Sequence, residues 1–387
     1  MTIFSGLRRH TLILSALVAL GAGGVATAFA APPTIDTAAK EAILLDYNTG
    51  AILLEKNADV PTPPSSMSKL MTVYMVFERI QKGDLKLTDE LPVSPRAWKM
   101  GGSKMFVMVN TKVSIGDLLS GVIIQSGNDA TVVLAEGLAG SEEVFAEQMT
   151  RKGKEIGLTN SQFKNASGWP EDGHYMTARD IATLAAHTIR DHPEFYQIYK
   201  QKEFTYNKIK QGNRNPLLYD TTGADGLKTG HTEAAGYGLA ASVERNGRRL
   251  ILVINGLNSM QQRANESRKL IEFGFREFEN YRPFRAGETV AEADVWLGTQ
   301  SKVPLVVDQD SMVTMPRTAR NNAKIVAQYN GPLAAPIEKG AVVGQIVIEA
   351  PDSPTVKIPL KAGASVDRLG LMGRISAAFS YLIWGAG

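Results

Sequence analysis

From Ser66 to Ile80 the chain is apolar on nearly every face of a helix: Met67, Leu70, Met71, Val73, Met75, Val76, Phe77 and Ile80 leave no polar stripe for solvent. A helix of that kind is stable only when other elements cover it all round. The segment therefore predicts a central buried helix and a fold of several layers built about it. The flanking sequence supplies the covers. Glu41–Lys56 reads as a hairpin, with Ala42–Leu45 and Ala51–Leu54 on either side of a polar turn. Further helical patterns run over Ser114–Ile124, Ala130–Leu138, Ala178–Arg190 and Arg263–Phe278. Two apolar strands, Tyr237–Glu244 and Arg249–Asn255, are joined by Asn246-Gly247, a pair suited to a turn with positive φ at both central positions. Elements in this order predict an α+β unit over residues 34–279, an antiparallel sheet flanked by helices.

Near Asn280-Tyr-Arg-Pro283 the texture changes. Short strand-like runs recur at Val303–Val307, Val313–Met315, Lys324–Tyr329, Val342–Ile348 and Thr355–Leu360, separated by Gly, Pro, Asp and Asn. They predict a small all-β domain over residues 283–362. Helical spacing returns across Asp367–Trp384. Leu371, Met372, Ile375, Phe379, Leu382 and Ile383 form one stripe with Trp384 near its end. That pattern predicts an amphipathic helix over residues 365–387 lying in a membrane interface.

The other terminus reads as an export signal. Basic Arg8, Arg9 and His10 precede the apolar run Thr11–Leu20, and small residues lead to Ala28-Phe29-Ala30 before Ala31-Pro32. Residues 1–30 therefore read as a cleaved leader, the apolar run being shorter than the ~20 residues of a spanning helix. There is no cysteine, so the exported protein is held by packing without disulfides. A formal net charge of +3, with no dense Lys/Arg run, disfavours nucleic acid as a partner.

Three short motifs bear chemistry. Ser66-Met-Ser-Lys69 puts a hydroxyl and an amine three positions apart at a helix start, hence on one face. A serine hydroxyl needs a base within hydrogen-bond reach to act as a nucleophile. A lysine can serve when burial disfavours its ammonium form, and the apolar helix supplies burial. Ser68 lies on another face. Ser126-Gly-Asn128 follows an apolar helix and offers a hydroxyl to relay a proton and a carboxamide to hold a substrate amide. Lys228-Thr229-Gly230-His231 enters the strand pair. Gly230 removes a side chain that would block an approaching backbone, and the Lys228 cation and Thr229 hydroxyl suit a terminal carboxylate.

None of the three carries an assignment alone; their order does. S-x-x-K, S-x-N and K-T-G in this sequence form a known signature of β-lactamases and penicillin-binding proteins. The chain resembles the penicillin-recognising serine peptidases, and among them the D-alanyl-D-alanine carboxypeptidases of the penicillin-binding-protein-5 type. Gly226–Tyr237, Asn213–Leu218, the appended β-domain and the terminal helix are similar to that group as well. The resemblance implies a transpeptidase-like catalytic domain that removes the last D-alanine from peptidoglycan pentapeptides through an acyl-enzyme on Ser66, with β-lactams as covalent inhibitors. Lys69 would take the hydroxyl proton, and Ser126 and Lys228 would pass it to the leaving amine. Asn128 would hold the substrate amide and Thr229 the carboxylate, with Arg214 and Arg263 near it. The backbone N–H groups of Ser66 and His231 would form the oxyanion hole. It implies no cofactor and no metal, and a place on the periplasmic face of the inner membrane.

Other readings are weighed by single features. A class A β-lactamase needs a glutamate for its deacylating water, and no E-x-x-L-N occurs between Ser126 and Lys228; Glu171 is followed by Asp-Gly-His. A zinc peptidase is disfavoured because His10, His174, His187, His192 and His231 show no ligand spacing. His187 and His192, beside a helix end, read as capping or surface residues. An endopeptidase or transpeptidase of the same fold, and a catalytically silent scaffold that binds penicillin or peptidoglycan, stay open at this point.

Overall fold

The computed structural model describes residues 2–5, 33–351 and 353–384, which divide near Arg276 into two compact units. In the first, residues 34–276, a five-stranded antiparallel sheet is built from β1 (Glu41–Asp46), β2 (Ile52–Lys56), β3 (Ala224–Thr232), β4 (Gly236–Arg245) and β5 (Arg248–Leu257) in the order β2-β1-β5-β4-β3. Asn246 and Gly247 take φ 52° and 77°, making the tight turn between β4 and β5 that their identities predict. Arg249 through Leu257 are all buried, so both faces of β5 are covered.

One face of the sheet meets a helical layer. Ile43, Ile251 and Val253 share a core with α1 (Lys69–Gln81), α2 (Ile115–Ile123), α3 (Asn128–Ala139), α4 (Glu142–Glu155) and α5 (Ala178–Asp191). Lys69 through Phe77 are buried without a break, as the all-round apolar pattern requires. The other face receives α6 (Met260–Glu277). A Cβ on Gly274 would lie 2.7 Å from Leu250 and 2.9 Å from Leu44, so the glycine sets how closely α6 approaches. α6 ends at Glu277, and Phe278, read from sequence as its last residue, opens a strand instead.

The second unit is β-rich with its own core of Val303, Leu305, Val313, Ile346, Ile348 and Leu360 among others. Its strands are β6 (Phe278–Phe284), β7 (Thr289–Trp296), β8 (Lys302–Val306), β9 (Ser311–Pro316), β10 (Lys324–Tyr329), β11 (Leu333–Ala334), β12 (Val342–Glu349) and β13 (Val356–Ala362). β6 pairs with β9, while the larger sheet runs β10-β12-β13-β8-β7-β11. The region read as an export leader lies outside the described residues except for Thr2–Ser5, which pair antiparallel with β10. α7 (Leu371–Trp384) closes the chain, with Leu371, Met372 and Ile375 exposed. Among the described residues no helix is long and apolar enough to cross a membrane.

Candidate active site

The three motifs meet in the first unit. Ser66 lies in a turn of 3₁₀ helix, Ser65–Ser68, that runs into α1 at Lys69. Ser65 itself has φ 49°, a left-handed conformation that turns the chain sharply just before the half-buried Ser66. Two glycines make room for it. A Cβ on Gly168 would sit 1.8 Å from the Ser65 carbonyl oxygen, and one on Gly230 would sit 2.2 Å from Ser65 Oγ. β3, carrying Lys228, Thr229 and Gly230, therefore lies directly against the turn that bears Ser66.

Lys69 is wholly buried and its Nζ has three oxygen partners: Ser66 Oγ at 3.0 Å, Asn128 Oδ1 at 2.7 Å and the Ser167 carbonyl at 2.5 Å. Burial lowers its pKa from 10.5 to about 7, helped by the Arg214 cation and opposed by the carboxylates of Asp129 and Glu142. A neutral amine has two N–H bonds and one lone pair. With the N–H groups directed to Asn128 and Ser167, the lone pair is left facing the Ser66 hydroxyl, the geometry a base requires.

The second motif is pinned by its neighbours. Ser126 takes φ 61° between α2 and α3, and its Oγ is buried without a protein hydrogen-bond partner. Asn128 opens α3; its backbone N–H donates to the Ser103 carbonyl at 2.7 Å, and Nδ2 donates to the Gly101 carbonyl at 2.9 Å. The buried Asp129 carboxylate accepts from the N–H groups of Met105, Phe106 and Val107, fixing the segment over the motif.

The third motif brings charge. Lys228 and Thr229 are buried, and Lys228 Nζ donates to the Thr229 carbonyl at 3.2 Å. Its pKa falls well below 10.5 through burial, then through the cations of Lys69, Arg214 and Arg263. Arg214 donates to Ser103 Oγ at 2.6 Å, and Arg263 reaches the Arg214 carbonyl at 3.4 Å while its guanidinium lies 5.9 Å from the Tyr237 ring centre. His231 is exposed and its ring stacks on Tyr237 at 3.9 Å. Lys228, Arg214 and Arg263 thus gather basic groups beside Lys69, an arrangement suited to an anionic ligand. Among the described residues no group of three or more His, Asp or Glu is arranged to hold a metal ion.

Several contributors carry no distinguishing mark in the sequence. The Ser167 carbonyl depends on Asn165, whose Oδ1 accepts from the N–H groups of Ser167, Gly168 and Trp169. Glu171, weighed above as a water activator, instead accepts from Asn165 Nδ2 at 3.0 Å. His174 binds Ser68: Lys164 N–H donates to its Nδ1, so Nε2 carries the proton and donates to Ser68 Oγ at 2.9 Å. His192 corrects its reading as a capping or surface residue. It is buried against Tyr74 and Phe77, makes no side-chain cap, and bonds Gln81 Oε1 through Nδ1 at 2.6 Å.

Residues 26–259 match the family of D-alanyl-D-alanine carboxypeptidases, and residues 278–368 match the C-terminal domain of penicillin-binding protein 5. The chain belongs to the D-alanyl-D-alanine carboxypeptidase family of serine peptidases. It is 41% identical to the D-alanyl-D-alanine carboxypeptidase DacC of Escherichia coli over 97% of this chain and 96% of that one. Its identity to DacA of Haemophilus influenzae is 40%, over 95% and 96% of the two chains. Among solved structures, penicillin-binding protein 5 from Haemophilus influenzae superposes with a TM-score of 0.80 at 39% identity, over 87% of this chain and 99% of that one. Penicillin-binding protein D2 from Listeria monocytogenes in its ampicillin-bound form superposes with a TM-score of 0.58 at 30% identity, over 63% of this chain and all of that one.

Proposed function

We propose that the protein is a serine carboxypeptidase that removes the terminal D-alanine from peptidoglycan peptides ending in D-Ala-D-Ala, and that β-lactams acylate it. The observation that carries this reading is the Lys69 amine, buried with its pKa drawn down and in hydrogen-bond contact with Ser66 Oγ. Ser66 Oγ attacks the penultimate D-alanine carbonyl as its proton passes to Lys69. The negative oxygen that forms is met by the N–H groups of Ser66 and His231, each such donor being worth about 3 kcal/mol. The carbonyl carbon–nitrogen bond then breaks, and a proton relayed through Ser126 and Lys228 reaches the departing amine. Water cleaves the resulting ester and restores Ser66. Asn128 holds the substrate amide. Thr229 binds the terminal carboxylate within the field of Lys228, Arg214 and Arg263, an arrangement that selects a free C-terminus.

Export of the mature chain by cleavage after Ala30, and attachment of α7 to the outer face of the cytoplasmic membrane, complete the reading. The exposed Leu371, Met372 and Ile375 support the attachment. The test is a fluorescent penicillin followed by peptide mapping, together with D-alanine release from a pentapeptide. The expected outcome is a covalent adduct on Ser66 and release of one D-alanine. An unlabelled Ser66 removes the enzyme reading, and cross-bridge cleavage without D-alanine release converts it to an endopeptidase.

A further inference from the structure

The first residue of α4, Glu142, is a carboxylate with only 4% of its surface exposed, and its charge acts on Lys69 with no hydrogen bond between the two. Oε2 pairs with Arg96 at 2.9 Å, and Oε1 accepts the backbone N–H of Ala166 at 3.0 Å. Ala166 is held from its other side as well, its carbonyl accepting from Thr72 on α1 at 2.7 Å. The next residue is Ser167, whose carbonyl takes one N–H of Lys69. Beyond it, Gly168 packs on Ser65 with φ 76°, a conformation and a closeness that fix the far end of the segment.

Taking the proposed function as given, we infer that Glu142 is a positioning residue for Lys69: through the Ala166 N–H it fixes the Ser167 carbonyl that orients the amine, and its charge biases the proton held there. Asn165 shapes the segment from within, while Glu142 on α4 and Thr72 on α1 tie it to the helical layer. Without the Glu142 bond the segment keeps only the Thr72 tie to that layer, and the lone pair of the neutral amine is less closely aimed at Ser66. The charge acts separately. Facing Lys69 are Asp129 from α3 and Glu142 from α4, which favour the ammonium, and Arg214, which opposes it. Lys228 on β3 and the buried, neutral His174 complete the surroundings. Removing one of the two carboxylates lowers the pKa of Lys69.

Two variants of the full-length protein separate these effects. Glu142→Gln keeps an acceptor for the Ala166 N–H but loses the charge; Glu142→Ala loses both. Acylation by a fluorescent penicillin is measured as a second-order rate constant from pH 5 to 9, with the melting temperature beside it. Glu142→Ala is expected to fall ten- to a hundredfold on the alkaline plateau, and Glu142→Gln to recover most of that loss. In Glu142→Gln the acid limb moves to lower pH. A plateau in Glu142→Ala equal to the parent's, with only the melting temperature reduced, overturns the positioning role. So does a Glu142→Gln plateau as low as that of Glu142→Ala. Should Glu142→Ala not fold, an unmoved acid limb together with a collapsed plateau in Glu142→Gln overturns the inference by itself. A parent protein that is not acylated at Ser66 defeats the proposed function instead, so the two failures are distinct.

Discussion

In the proposed mechanism Ser66 is acylated only when Lys69 is neutral, and the structure sets the pH at which that dependence falls. An exposed lysine with a pKa of 10.5 is neutral in roughly 1 of 3,000 molecules at pH 7. With the pKa brought to about 7 by burial and by Arg214, about half the molecules carry the free base at that pH. The rate constant for penicillin acylation should therefore rise tenfold per pH unit below pH 7 and level off above it, with roughly 1% of the plateau left at pH 5. Penicillin's own carboxylate does not titrate in this range, so the limb belongs to the enzyme. Lys69→Ala tests the assignment. It should lower the plateau by about 10³-fold, within the span of a positioned base, while circular dichroism and melting report a folded chain. A profile flat from pH 5.5 to 8.5 in the parent refutes the argument. So does a limb of unchanged midpoint in Lys69→Ala, which would put the titrating group elsewhere.

Two further outcomes are expected. Burial, with the cations of Lys69 and Lys164, lowers the pKa of His174 from 6.5 to about 4. The unfolded chain then takes up this proton at higher pH than the folded one, so the contribution of His174 to stability is intact above pH 6.5 and is lost as pH falls toward 4, by about 3 kcal/mol in all. Urea unfolding at pH 7 and pH 4.5 should show that loss reduced in His174→Gln; equal pH dependence in parent and variant assigns it to other groups. Deleting residues 371–387 removes the exposed Leu371, Met372 and Ile375, the first of them 66% and the second 82% accessible. The truncated chain should stop sedimenting with phospholipid vesicles and still hydrolyse a soluble pentapeptide. Continued sedimentation refutes the anchor.

What could be read from the sequence was what side chains announce by spacing. Ser66 and Lys69 share a face because the helix repeat puts them there, and the apolar helix that buries Lys69 is visible in the same fifteen residues. Ser126, Asn128 and Lys228 gained meaning only from their order, since each sits in a stretch that ordinary turns and strand ends also use. α4 has no clear sequence signature because Phe145, Ala146, Met149 and Gly153 are its main buried apolar or small positions in a highly charged segment. β7 is hidden for a related reason: Glu292 and Asp294 interrupt its alternation. His192 misled because a histidine after a helix suggests a cap, whereas the packing of Tyr74 and Phe77 decided its place.

The hidden part of the site has a common physical cause. Lys69 is held by one side-chain amide, one hydroxyl and one peptide carbonyl, and a peptide carbonyl belongs to every residue alike. No residue type at position 167 marks that acceptor. It becomes an acceptor because Asn165 gathers three N–H groups and Glu142 holds a fourth, turning the segment so that its carbonyl faces inward. Glu142 in turn looks like any acid at a helix start, where the exposed N–H groups favour negative charge. Only its burial and its Ala166 contact set it apart. Side chains proposed for the chemistry can thus be named from a pattern, while the groups that aim them exist only where the folded backbone passes.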